Sequence, residues 1–103
     1  MNTMTFANVG TLGTQPGRRD EVAAILTRTS SDLGSNGCLL YEVGINEDSP
    51  NTVFVMELWE SQQAHQDSLE LPSVQAAIAE AMPLLNGDMG GNQFDVVGSP
   101  LTR

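Results

Sequence analysis

Cys38-Leu39-Leu40-Tyr41-Glu42-Val43-Gly44-Ile45 and Val53-Phe54-Val55-Met56-Glu57-Leu58-Trp59 flank the polar hexad Asn46-Glu47-Asp48-Ser49-Pro50-Asn51, and this stretch decides the fold. Two apolar runs rich in β-branched and aromatic residues, separated by turn-forming residues, read as a β-hairpin. On strand spacing, Leu39, Tyr41, Val43 and Ile45 point one way, and Cys38, Leu40, Glu42 and Gly44 the other. In the second run Phe54, Met56 and Leu58 oppose Val53, Val55, Glu57 and Trp59. Neither run shows the apolar-in, polar-out alternation of a sheet wetted on one side. Both faces therefore need covers. Helices supply one, and the same face of a second subunit, in an isologous dimer, is the simplest supply for the other.

Upstream of the hairpin, Met4 to Leu12 reads as a strand ended by Gly13 and Pro16-Gly17. Arg18 to Leu33 follows as a helix, with Val22, Ile25, Leu26, Thr29 and Leu33 at helical spacing and Asp20 and Glu21 in its first turn. Gly34-Ser35-Asn36-Gly37 ends it. Downstream, Ser61 caps a short helix through about Leu69, and Pro72 opens a longer one with a stripe of Val74, Ala77, Ile78, Ala81, Met82 and Leu85. Pro83 should end or kink that helix. Asn86 to Asn92 reads as loop, Gln93 to Val97 as the last strand, and Gly98-Ser99-Pro100 as the start of a tail. Two β-α-β patterns around a central hairpin make this an α+β chain with a four-stranded, mainly antiparallel sheet and helices on one face. The expected organisation is a single domain over residues 1–103, with its core at about 4–97 and a short tail at 98–103.

The chain has 103 residues, 40% apolar and 17% charged, which is ordinary globular composition. Its charge is not ordinary: thirteen acidic residues face four arginines and no lysine, for a net charge of −9. Arg18, Arg19, Arg28 and Arg103 form no basic stripe, so nucleic acid and anionic membranes are poor partners, and a neutral or apolar small molecule is favoured over an anionic one. The acidity also serves solubility. Cys38 has no companion for a disulfide or a zinc site. No signal peptide and no apolar run near the ~20 residues of a membrane span is visible, so a cytoplasmic location is expected.

No nucleotide loop, metal motif or nucleophile elbow is present. Gly87-Asp88-Met89-Gly90-Gly91 precedes a strand rather than opening a helix, so it is loop and not a phosphate cradle. The lone His65 lies beside Gln62, Gln63, Gln66 and Asp67, and reads either as a surface residue or as a pocket base. Trp59 ends the second run on the same face as Glu57, where its indole serves either to clamp a helix or to bind an aromatic ligand. Tyr41 and Asn8 place polar groups among apolar strand residues. Glu57 and Glu42 pair or face solvent, or, if buried with raised pKa values, become proton acceptors.

Gly37-Cys38-Leu39-Leu40-Tyr41-Glu42-Val43, then Glu57-Leu58-Trp59-Glu60-Ser61, then Leu71-Pro72-Ser73-Val74-Gln75, with Pro16-Gly17-Arg18 upstream, resemble the antibiotic biosynthesis monooxygenase (ABM) family over residues 4 to 97. The resemblance implies a ferredoxin-like β-α-β-β-α-β fold that pairs its sheets in a dimeric α+β barrel. It implies a cofactor-independent monooxygenase that uses neither metal nor flavin and acts, with dioxygen, on a quinol or polycyclic aromatic phenol. On that reading Trp59 and Asn8 orient the substrate, Tyr41 bonds its oxygen, His65 accepts its proton, and Glu57 and Ser68 line the site. Relatives often carry histidine where this chain has Ser68 and Ser73, a departure that keeps two other readings open. One is a non-catalytic small-molecule-binding domain of the same fold. The other is an isomerase or lyase using the same cleft.

Overall fold

The computed structural model describes residues 4–28 and 31–101, leaving out the side chain of Ser31. Strands β1 (Phe6–Thr14), β2 (Cys38–Gly44), β3 (Thr52–Trp59) and β4 (Leu85–Asp95) form one antiparallel sheet in the order β2-β3-β1-β4. Helices α1 (Arg19–Leu26), α2 (Ser31–Ser35), α3 (Gln62–Ser68) and α4 (Pro72–Ala81) fill the two crossovers, and a 3-10 turn, Met82–Leu84, leads into β4. This is the four-stranded antiparallel sheet expected from the two β-α-β patterns, in the ferredoxin-like arrangement that the family resemblance implies.

Residues directly opposite in an antiparallel pair share a face. One face therefore carries Phe6, Asn8, Gly10 and Leu12 of β1 opposite Trp59, Glu57, Val55 and Val53 of β3. Tyr41 and Val43 of β2 and Met89, Gly91, Gln93 and Asp95 of β4 extend it on either side. The helices cover this face. Its packed end is a cluster of Val22, Ile25, Val53, Ala81 and Leu84. Val22 and Ile25, three apart on α1, bring one helical face onto Val53, and burying each such side chain contributes roughly 1.5–3 kcal/mol. The opposite face stays open: Leu40 is 38% exposed, and Met56 and Phe94 are each 49% exposed.

The structure corrects the sequence reading in four places. The first helix stops at Leu26, where Thr27 turns its hydroxyl back on the carbonyls of Ala23 (2.8 Å) and Ala24 (3.3 Å), a bond that competes with helix continuation. A separate short helix holds Leu33, and Thr29 lies outside the described residues. Second, the β2–β3 register shifts between Cys38 and Leu40, so Cys38 stands opposite Trp59 on the helix-covered side and Leu39 is displaced into the bulge, half exposed. Third, the α4 stripe is only partly used: Ala81 is buried, whereas Ile78 and Met82 are exposed. Fourth, Asn86–Asn92 is not loop but the first part of β4. The glycines there are a requirement of the pairing. A Cβ on Gly10 would lie 2.8 Å from the Gly90 carbonyl oxygen, and Gly91, at φ 139°, would drive one to 2.3 Å from the Val9 oxygen.

Candidate functional site

Beyond the packed cluster the helix-covered face changes character. Counting from Val53, the next cross-strand row is Val43–Val55–Gly10–Gly91, and the one after is polar across all four strands: Tyr41, Glu57, Asn8 and Gln93. Trp59 and Phe6, paired to each other, close the row beyond. The helices do not fill the space above these rows. A cavity of about 740 Å³ remains, with Asn8, Tyr41, Glu57 and Trp59 on its floor and His65 and Ser68 among its walls. The backbone explains part of this. Gly10 brings no side chain into the space, and Ala76 and Ala77 of α4 border it with small groups between Val74 and Ile78.

Glu57 is the hub. Asn8 Nδ2 donates to its Oε2 (2.9 Å) and Trp59 Nε1 donates to its Oε1 (2.9 Å), so each carboxylate oxygen holds a donor from a neighbouring residue on the same face. Asn8 Oδ1 in turn accepts from Gln93 Nε2 (3.2 Å). Trp59 is buried, and its only donor is spent on Glu57. The indole borders the cavity but is almost wholly covered, so it offers the cavity little surface and no free N–H. Asn8 keeps a second amide hydrogen, and Tyr41 keeps its O–H.

His65 comes from α3, whose start is fixed by Ser61: the Ser61 hydroxyl accepts from the Ala64 backbone N–H (3.0 Å). That helix buries only His65 and Ser68, three apart on one face. The imidazole lies against Phe6 (centroids 5.6 Å apart) and edge-on to Trp59 (5.5 Å). Its Nε2 stands 3.9 Å from Glu57 Oε1, with both side chains 11% exposed. The Ser68 hydroxyl donates to the His65 carbonyl (2.6 Å) and locks the turn.

Tyr41 stands opposite Glu57 across β2 and β3. Burial, then the negative charges of Glu57 and Cys38 nearby, push its phenol up to about 12 from an ordinary 10, so it remains a protonated donor at neutral pH. The Cys38 thiol is likewise raised, first by burial, and donates weakly to the Leu40 carbonyl (3.4 Å). At the cavity's outer wall Arg28 makes a two-pronged pair with Glu80 (2.7 and 2.6 Å), and the Ser73 hydroxyl donates to Asp32 (3.0 Å). Among the described residues no group of three or more His, Cys, Asp or Glu side chains is placed to hold a metal ion.

The six residues singled out from the sequence, Asn8, Tyr41, Glu57, Trp59, His65 and Ser68, all line this one cavity. Glu42 does not: it is exposed, and its partner Met56 belongs to the open face. Sequence reasoning missed Gln93 and Phe6. Gln93 was the first residue of the expected last strand, and only its register with Asn8 reveals that it belongs to the polar row.

No helix is long and apolar enough to cross a membrane among the described residues. No curated protein matches the chain. Among solved structures, one bearing the antibiotic biosynthesis monooxygenase name, from Chloroflexus aurantiacus J-10-fl, is 34% identical, covers 92% of this chain and 95% of its own, and superposes with a TM-score of 0.80. One of the same name from Caulobacter crescentus CB15 is 24% identical, with coverage of 93% and 92% and a TM-score of 0.77. A third, from Nitrosomonas europaea, shares the fold at a TM-score of 0.81 with 6% identity and 94% coverage of each chain. The family model described as antibiotic biosynthesis monooxygenase matches residues 5–80, which span β1 through most of α4, so the chain belongs to the antibiotic biosynthesis monooxygenase family.

Proposed function

We propose that this chain is a cofactor-independent monooxygenase acting on a quinol or a polycyclic aromatic phenol. The observation that carries the reading is the cavity of about 740 Å³, in which a polar row centred on Glu57 lies beside a floor without side chains at Gly10, with the buried Trp59 at its edge. A planar ring fits along that floor, with its oxygen edge at the row. Tyr41, held protonated, and the second amide hydrogen of Asn8 are the donors that meet the substrate oxygen. Because Asn8 and Trp59 already occupy the Glu57 oxygens, the phenol proton goes to His65, and the imidazolium so formed lies beside Glu57.

The phenolate then supplies the electrons. Dioxygen is reduced by the substrate itself, one oxygen atom bonds to a ring carbon, and the other leaves as water with two hydrogens from the substrate. The chain's part is to orient the ring, hold the proton and its developing charge, and exclude water. On the same reading it works in the cytoplasm as a homodimer whose partner covers Leu40, Met56 and Phe94 on the open sheet face. A monomeric mass at micromolar concentration would contradict the dimer.

A second reading is favoured by Ser68 and Ser73. Where relatives often have histidine, these hydroxyls are spent on the His65 carbonyl and on Asp32, which suits a binding domain without catalysis. Oxygen uptake with reduced naphthoquinones and anthrones under labelled dioxygen separates the two. The oxygenase reading expects uptake well above spontaneous autoxidation and one labelled atom per product. Uptake at the spontaneous rate across the panel supports the binding domain instead.

A further inference from the structure

We propose that Gln93 is a positioning residue for this site: its amide braces Asn8 in the seating that Glu57 selects, and through Asn8 it steadies the carboxylate of Glu57 and the donor left for a ligand. The proposal rests on reading the polar row as the site, and it concerns a residue on β4, the edge strand farthest from the helix that carries His65.

An asparagine amide can be seated two ways, with its oxygen and nitrogen exchanged. Glu57, which can only accept, selects the one observed, and the Gln93 amide, seated with its nitrogen towards Asn8, adds a second bond to it. Gln93 Nε2 offers a hydrogen to Asn8 Oδ1 at 3.2 Å, and Glu57 Oε2 accepts from Asn8 Nδ2 at 2.9 Å. Reversing the Asn8 amide would set Oδ1 against the Glu57 carboxylate, a repulsive contact in place of a bond, and the Gln93 amide would have to turn as well to keep its own bond. The chain of bonds runs without a gap from β4 through β1 to β3: Gln93 to Asn8 to Glu57, with Trp59 closing the far oxygen. With the Trp59 N–H already used, the second hydrogens on Asn8 Nδ2 and Gln93 Nε2 and the Tyr41 O–H are the donors the row has left for a ligand. The bond from Gln93 steadies the plane of the Asn8 amide, and with it the direction of the Asn8 hydrogen. The register makes the pairing possible, because Gln93 is directly opposite Asn8, and the close β1–β4 approach at Gly10, Gly90 and Gly91 holds the two strands in that register.

The test separates hydrogen bonding from bulk. Gln93→Met keeps the length and removes the donor; Gln93→Lys keeps a donor at similar reach. With a quinol that the wild type oxidises, Gln93→Met is expected to lower kcat about fivefold with little change in KM, and Gln93→Lys to recover most of that loss. A readout without turnover comes from Trp59, the only tryptophan in the chain, whose indole N–H gives one cross-peak in a nitrogen–proton correlation spectrum. In Gln93→Met that peak should move and exchange faster with solvent, and Gln93→Lys should return it towards its original position. An unmoved indole peak in Gln93→Met, or equal kcat losses in the Met and Lys variants, overturns the proposal. If no quinol is oxidised by the wild type, the oxygenase reading fails while the indole peak still decides the role of Gln93.

Discussion

The two ends of the helix-covered sheet face share strands and covering helices but are built differently. At one end Val22, Ile25, Val53, Ala81 and Leu84 meet in a dry cluster. At the other, Tyr41, Glu57, Asn8 and Gln93 make a polar row, and about 740 Å³ stays unfilled. The difference comes from which groups the strands and helices turn inward. Branched aliphatic side chains at the first end fill the gap between layers to interior density. Glycine on the floor and the alanines between Val74 and Ile78 on α4 leave it unfilled at the second, where the strands present polar groups instead. The first end gives the fold its stability. The second trades packing for a shaped space with polar groups already bonded in place.

Substitutions should separate the two ends. The largest effect is expected from His65→Gln, which keeps a polar side chain of similar size: quinol turnover should fall about a hundredfold, as for loss of a positioned proton acceptor. Turnover within threefold of wild type would remove His65 from that role. Next is Leu84→Ala, which opens a hole in the packed end and should cost about 2–5 kcal/mol in urea unfolding while leaving the polar row intact. A loss below 1 kcal/mol would mean that this end is not the main support.

The packed end was the more legible of the two from sequence. The alternation in Val53 to Trp59 puts Val53, Val55, Glu57 and Trp59 on one face, which the structure shows to be the helix-covered one, and helical spacing picks out Val22, Ile25 and Ala81. What escaped depended on backbone detail that side-chain periodicity does not carry. The bulge at Leu39 moved Cys38 to the other face, and the glycines of β4 looked like loop because their role is close strand approach. His65 was ambiguous because its helix buries only two residues, too few for a pattern. Glu57 was placed on the right face, yet its partners Asn8 and Trp59 come from strand register and from the same strand two residues on, so the hub appears only once the sheet is assembled.

A smaller effect concerns Tyr41, the only tyrosine, so its phenolate absorbance can be titrated alone. In the native chain the midpoint should sit at about 12, against about 10 when unfolded. The sign follows from linkage. The folded state holds this proton more tightly, so its contribution to stability is complete below pH 10 and is lost as pH rises from about 10 towards 12. Tyr41→Phe should flatten that alkaline decline. A native midpoint at 10 would mean the phenol is not buried against Glu57. The smallest effect on stability is expected from Ala77→Leu, which extends into the cavity: urea unfolding should change little, while ligand affinity drops.

The central claim is that the hollow end, not the packed end or the open sheet face, receives a planar aromatic oxygen compound. Titrating the isotopically labelled chain with a naphthoquinone or anthraquinone, while following backbone and side-chain resonances, tests it most directly. The account expects the Trp59 indole and the Asn8 and Gln93 side-chain amides to shift together and saturably, with Val22, Val53 and Leu84 unmoved. Shifts confined to Leu40, Met56 and Phe94 on the open face, or no saturable shift at the polar row, would contradict it.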